Sequence, residues 1–107
     1  MSLMNSNMSA TDENDSLKLT GSLDIYSAES LRDVLLKHAE SSRSISIDLS
    51  AVEVCDVTGL QLLYSARRSA EAANKSFLIT SVSDAFLAAC AAAGVAQSDF
   101  SISDGDL

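Results

Sequence analysis

The feature that most constrains the fold is the alternation of two apolar periods along the chain. Ile45, Ile47 and Leu49 alternate with polar residues, which is the period of a strand. The segment before them has the i, i+3, i+4, i+7 spacing of one helix face, formed by Leu31, Val34, Leu35 and His38. Alternating strand and helix periods are typical of strand–helix–strand units around a largely parallel sheet. The predicted fold class is therefore α/β.

The alternation continues on both sides of this segment. Leu17, Leu19 and Gly21 open the first strand, and Ser27 is the predicted N-cap of the first helix. The later elements are a connector after Ser50, a helix from Thr58 to Asn74, a strand from Phe77 to Thr80, a helix from Ser83 to Gly94 and a short strand around Phe100 and Ile102. The order predicts a mostly parallel mixed sheet of four to five strands with three to four helices.

The length of the chain indicates one domain. A chain of 107 residues can bury about two thirds of its unfolded surface in a single core. Residues 1–16 are rich in Ser, Asn, Asp and Met and show little apolar periodicity. We expect them to be a loose tail that adds at most an edge strand around Met8 to Thr11, and we assign 17–107 to the domain.

The charge of the chain excludes two classes of partner. Fifteen acidic residues against seven basic ones give a net charge of −8, which repels nucleic acid and anionic lipid headgroups. The longest mainly apolar run, Ala85 to Ala96, is roughly half of what a bilayer crossing needs, and no cleavable leader precedes the domain. We therefore expect a cytoplasmic protein that neither binds nucleic acid nor inserts directly into a membrane.

Few residues offer chemistry for catalysis, metals or cofactors. Cys55 and Cys90 are too few and too far apart for a metal framework, and we interpret them as small buried hydrophobes. His38, the one histidine, lies on the apolar helix stripe, and no nucleophile elbow or phosphate-cradling glycine loop is present. We predict no enzymatic activity, no catalytic residues, no metal and no cofactor.

The segment Asp56-Val57-Thr58-Gly59 stands where a strand ends and a helix begins, which is where ligands and partners gather in sheets of this kind. Local physics leaves two interpretations of Thr58. In one, Thr58 and Gln61 form a capping box and Gly59 serves tight packing. In the other, Thr58 is a phosphoacceptor whose phosphate meets the positive end of the helix dipole. Asp56 is compatible with both, as a carboxylate that caps the loop or the following helix.

Two motifs resemble those of one family. The string Ile45-Ser46-Ile47-Asp48-Leu49-Ser50, followed by Val52 and by Cys55-Asp56-Val57-Thr58-Gly59-Leu60, is similar to the core signature of STAS domains, the family of bacterial anti-sigma factor antagonists. Upstream, Gly21-Ser22-Leu23-Asp24 resembles the family's Gly-Glu-Leu-Asp turn. The resemblance extends from about Leu17 to Val95.

The resemblance implies a function. In such antagonists the Ser or Thr before the motif glycine, here Thr58, is phosphorylated by a partner that is both anti-sigma factor and serine/threonine kinase, and a PP2C-type phosphatase reverses this. The implied partner-binding surface comprises Asp24, Asp56, Val57, Thr58, Gly59 and Gln61. Val57 and Thr58 differ from the commonest motif, which has a hydroxyl residue at the first position and Ser at the second. The alternative is a STAS docking subunit of a phospholipid-transport ABC system, or of another bacterial signalling complex, that works without phosphorylation.

Overall fold

The structure, a computed structural model, describes residues 8–13, 16–96 and 100. Its elements are strand β1 (Met8–Glu13), strand β2 (Ser16–Leu23), a short 3-10 helix (Ile25–Ser27), helix α1 (Ala28–Ser41), strand β3 (Ser44–Cys55), helix α2 (Val57–Ala72), strand β4 (Ser76–Val82) and helix α3 (Asp84–Ala93). The strand–helix alternation and the α/β class are confirmed.

The strands form a mixed sheet in the order β1-β2-β3-β4, four strands within the described residues. β1 pairs antiparallel with β2, whereas β2, β3 and β4 are parallel. Ile47 in β3 lies between Leu17 of β2 and Ile79 of β4, and all three side chains are buried. This row of aliphatic residues across parallel strands produces the predicted, mostly parallel mixed sheet.

Two helices follow from the strand order. α1 connects β2 to its neighbour β3, and α2 connects β3 to its neighbour β4. Because parallel crossovers are right-handed, both helices lie on the same face of the sheet and run in the same direction. The predicted apolar face of α1 is confirmed, since Leu31, Leu35 and His38 are buried. The core also contains Leu60 and Leu63 from α2.

The predicted helix ends are confirmed where they depend on backbone conformation. Asn74 has φ of 60° and Gly94 has φ of 71°, the left-handed conformation that ends many helices. The Ser83 hydroxyl accepts a hydrogen bond from the backbone N–H of Phe86 at 3.2 Å, as expected of an N-cap.

The connector predicted after Ser50 is wrong, because β3 continues to Cys55. Its second half, from Ala51 on, pairs with β2 from Thr20 to Leu23. The pairing shifts register twice, because β3 has one extra residue between Asp48 and Ala51 and another between Val52 and Val54. These irregularities change which residues face the core, so the sequence alternation fades while the strand persists.

Met8 and Phe100, the first and the last residue that the structure describes, belong to the core. Around Met8 to Thr11, where the sequence allowed an edge strand, the structure has β1, which reaches Glu13. In this strand, Oδ2 of Asp12 lies within hydrogen-bond distance of Nδ1 of the buried His38 ring, at 3.1 Å. The predicted final strand lies outside the described residues except for Phe100, which is buried and meets Phe86 edge-to-face. No helix among residues 8–13 and 16–96 is long and apolar enough to cross a bilayer.

Candidate functional site

The carboxyl ends of β2 and β3 bring the two predicted motifs together. Leu23 at the end of β2 lies opposite Cys55 at the end of β3. One residue on, the backbone N–H of Asp56 donates to the carbonyl of Leu23 at 3.1 Å. The loop that carries Asp24 and the loop that carries Asp56 are therefore joined at one edge of the sheet.

Asp56 is the N-cap of α2. Its Oδ1 accepts hydrogen bonds from the backbone N–H groups of Thr58 at 2.9 Å and Gly59 at 3.2 Å. The predicted capping box of Thr58 and Gln61 is therefore wrong, and Thr58 lies inside the first turn. Asp56 is the N-cap instead of Thr58 for two reasons. Its backbone is extended, with φ of −120°, and its carboxylate is a stronger hydrogen-bond acceptor than a hydroxyl.

In the loop after β2, Asp24 caps a helical turn in the same way as Asp56 does. Oδ1 of Asp24 accepts from the backbone N–H groups of Tyr26 at 3.0 Å and Ser27 at 3.2 Å. The buried Ser27 hydroxyl accepts from the Asp24 N–H at 3.0 Å and donates to the Ser22 carbonyl at 2.6 Å. This reciprocal pair is a capping box on the 3-10 helix. Ser27 does precede α1, as predicted, but its hydroxyl makes no capping bond to α1.

Gly59 is required by a close approach between distant parts of the chain. A Cβ at this position would lie 2.6 Å from the Leu23 carbonyl oxygen and 2.9 Å from the Leu23 Cβ. Because the first of these is a backbone atom, a side chain at residue 59 would push α2 away from the end of β2. Tight packing thus explains the glycine of the motif.

Thr58 is half-buried beside these two loops. Its backbone N–H is bound by Asp56, whereas its hydroxyl makes no hydrogen bond within the part of the chain that the structure describes. Gln61, one turn further along α2, is exposed. A hydroxyl free of internal hydrogen bonds, at the positive end of a helix of 16 residues, is chemically suited to modification or to contact with a partner.

Four exposed apolar side chains flank the two loops along the chain. Val57 is 54% exposed and Val54 is 49% exposed, and after Asp24 come Ile25 at 63% and Tyr26 at 86%. We call Ile25, Tyr26, Val54 and Val57 the apolar patch. Only Val57 was predicted. The sequence signal for Ile25 and Tyr26 was the pair of large apolar residues directly after the loop aspartate Asp24. Exposed aromatic and aliphatic groups that flank hydrogen-bonded loops are typical of a protein-binding surface.

The thiol next to the site is inert. Burial raises the pKa of Cys55 to about 12, and the nearby Cys90, Asp56 and Asp24 add to the increase. Burial likewise raises the pKa of Cys90, which lies in the core. Since the nucleophilic form of cysteine is the thiolate, Cys55 stays protonated at neutral pH. Both thiols are free, and Cys55 packs partly buried against the core.

Comparison with known proteins identifies relatives of this arrangement. The profile of the family described as "Mlab, STAS domain" matches residues 6–102. The crystal structure of an anti-sigma factor antagonist from Mycobacterium paratuberculosis is similar, with a TM-score of 0.73, 21% identity, and coverage of 92% of this chain and 85% of that chain. The anti-sigma factor antagonist SpoIIAA in its unphosphorylated form has a TM-score of 0.54 and 15% identity over 68% of this chain and 71% of that chain. No curated protein sequence matches the chain.

Proposed function

Because the chain belongs to the STAS domain family, we propose that it is an anti-sigma factor antagonist that is switched by phosphorylation of Thr58. The observation that carries this proposal is the Thr58 hydroxyl, which has no internal hydrogen bond among the described residues and stands beside the apolar patch. The likeness of the fold to two anti-sigma factor antagonists supports it. The partner is an anti-sigma factor with serine/threonine kinase activity, in the cytoplasm, and the antagonist itself has no enzymatic role.

The binding surface combines the apolar patch with the loop carboxylates. Tyr26 and Ile25 offer the largest exposed apolar area, and a rigid aromatic anchor is a common hot spot of protein interfaces. Asp24 and Asp56 are half-buried and already accept backbone hydrogen bonds, so the partner need not order these loops on binding. The partner surface would be apolar at its centre and basic or neutral at its rim. Gln61, which is exposed, extends the contact along the start of α2, and the buried Gly59 serves it by letting α2 pack against the end of β2.

A phosphate at Thr58 would act through its charge. It would add about −1.5 to −2 charges. The N–H groups of Thr58 and Gly59, which would otherwise bind it, already donate to Asp56. The phosphate would therefore remain directed at the partner, next to a carboxylate of the same sign. We expect the modified state to keep its fold and to lose affinity, with a PP2C-type phosphatase restoring it.

Phosphate mapping by mass spectrometry, after incubation with the partner kinase and ATP, tests the proposal. The expected product carries one phosphate at Thr58, and Thr58→Ala carries none there. In a binding assay Thr58→Glu should weaken the complex at least about tenfold, the effect of roughly 1.4 kcal/mol, while Thr58→Ala should keep it. Ala72→Glu adds the same charge to the exposed far end of α2 and should leave affinity unchanged. An active kinase that leaves Thr58 unmodified would refute the switch.

A second candidate is a docking subunit of a phospholipid-transport ABC system that is not phosphorylated. The observation that favours it is Val57, which places an exposed apolar side chain next to Thr58. A surface of this kind can hold a partner permanently. This candidate predicts stable copurification with a nucleotide-binding ATPase that is not a protein kinase. It also predicts that Tyr26→Ala breaks the complex while Thr58→Ala and Thr58→Ser do not.

A further inference from the structure

A second surface feature lies away from the candidate site, between α1 and α2. It is a groove of about 280 Å³. One wall is a stripe of α1 residues at i, i+3, i+4 and i+7, namely Arg32, Leu35, Leu36 and Ala39. The opposite wall is a stripe of α2 residues at the same spacing, namely Leu62, Ser65, Ala66 and Ser69. Ile45 of β3 also lines the groove.

The groove exists because the α2 wall consists mainly of small residues. A space that Leu or Met would fill is left open by the small side chains of Ser65, Ala66 and Ser69. On the opposite wall, Leu36 is 50% exposed. The buried side chains of Leu35 and Ile45 line it as well. The interior of the groove is thus aliphatic, and hydroxyl groups are present on one wall.

The charge of the groove differs from the charge of the chain. The protein has 15 acidic and seven basic residues, yet none of the described residues that line the groove is acidic, and one is the cation Arg32. Arg32 is exposed and makes no ion pair or hydrogen bond within the described ranges. A lone guanidinium at an aliphatic groove matches a ligand with one anionic group and an apolar body.

The dimensions favour a small molecule over a protein segment. The stripe from Arg32 to Ala39 advances seven residues, which is about 10.5 Å along the helix. The volume of about 280 Å³ lies just below the usual range of ligand pockets and suits a small ligand. A specific protein partner needs about 800 Å² of surface on each side, which is far more than two helical turns provide.

We infer that this groove binds a free medium-chain carboxylate. The carboxylate pairs with Arg32, and the methylene chain lies between the two stripes towards Ser69. With roughly 1.25 Å advanced per bond of an extended chain, about eight bonds span the groove. Chains of eight to ten carbons, such as octanoate and decanoate, are the ligands that fit.

An NMR titration of the 15N-labelled full chain with sodium decanoate, below its micelle concentration, tests this inference. Saturable shifts are expected for amides of both stripes. Affinity should rise about two- to fourfold per added methylene between hexanoate and decanoate, since a fully buried methylene is worth about fourfold. The cation decyltrimethylammonium should bind at least severalfold more weakly than decanoate.

Three variants test which residues contact the methylene chain and which residue binds the carboxylate, and a fourth variant is the control. Ser65→Leu fills the groove at an exposed position and should weaken decanoate at least tenfold, and Ser69→Leu does the same from the next turn. Arg32→Gln should weaken it about two- to fivefold, within the range of an exposed ion pair. Lys37→Gln removes an equal charge from α1 outside the groove and should change nothing. Circular dichroism confirms the fold of each variant.

Several results would overturn the inference. They are the absence of shifts in the stripes, equal affinity of the wild type and both leucine variants, or equal affinity of Arg32→Gln and the wild type. Stripe shifts that depend on protein concentration without ligand would mean that a second copy covers the groove. Binding to phosphatidylcholine vesicles but not to free decanoate would point to a membrane surface.

Discussion

Gly59 offers a sharp test of how the candidate site is built. In Gly59→Ala the new Cβ would meet the Leu23 carbonyl oxygen at 2.6 Å. A relaxed carbon–oxygen contact is about 3.3 Å, so the overlap is about 0.7 Å. Relief requires backbone movement, because the second close atom, the Leu23 Cβ at 2.9 Å, is also fixed near the main chain.

The net effect is a difference of two terms. Overpacking costs about 1–3 kcal/mol, and the better helix propensity of alanine returns at most about 1 kcal/mol. We expect Gly59→Ala to lower the free energy of unfolding by about 1–2 kcal/mol. For a domain of this size that is a decrease in melting temperature of about 5–10 °C. Urea unfolding followed by circular dichroism measures the first quantity, and thermal melts measure the second.

Thr58→Ala is the matched control for Gly59→Ala. It changes the neighbouring residue in the same turn but adds no atom, and it should alter stability by less than about 0.5 kcal/mol. The amide signals of Leu23 and Asp56 should move in Gly59→Ala, because the same carbonyl accepts the Asp56 N–H. If Gly59→Ala is as stable as the wild type, the close approach of α2 to β2 is not what requires glycine.

Four further changes have expected outcomes. Asp56→Ala should lower the free energy of unfolding by about 1–2 kcal/mol in urea titrations through loss of the N-cap, and Asp56→Asn should recover most of it. Asp12→Ala should leave the buried His38 ring without its partner and speed hydrogen exchange of the β1 amides at least tenfold. Unchanged exchange would show that the Asp12–His38 pair does not hold β1 in place. Asn74→Ala should cost about 1 kcal/mol and Asn74→Gly should not, because φ is 60° there. The free energy of unfolding should fall as pH rises from 9.0 towards 12, because the pKa of Cys55 is about 12 in the folded chain and ordinarily 9.0. Cys55 contributes at most about 1.4 kcal/mol of this decrease per pH unit. The unfolded chain releases the thiol proton first, and urea midpoints at about pH 8 and about pH 10 should differ less in Cys55→Ala.

The sequence by itself determined the α/β class and several element ends. Strand and helix periods are local patterns, as are the left-handed conformation at Asn74 and the cap at Ser83. Each depends on residues within one or two turns, so the chain specifies it without knowledge of the rest of the fold. The sequence alone also showed that two short motifs resemble those of STAS domains, and the family match over residues 6–102 confirms this resemblance.

The tertiary structure alone decided how the candidate site is arranged. Gly59 is constrained by Leu23, 36 positions earlier, and β3 persists to Cys55 because β2 pairs with it. Whether Asp56 or Thr58 caps α2 was open in the sequence, since both are good caps, and the extended backbone at Asp56 decided it. The exposure of Tyr26 and the groove beside Arg32 likewise depend on which surfaces the helices leave uncovered. Contacts between distant segments have no local period in the sequence, and these features therefore appear only when the chain is folded.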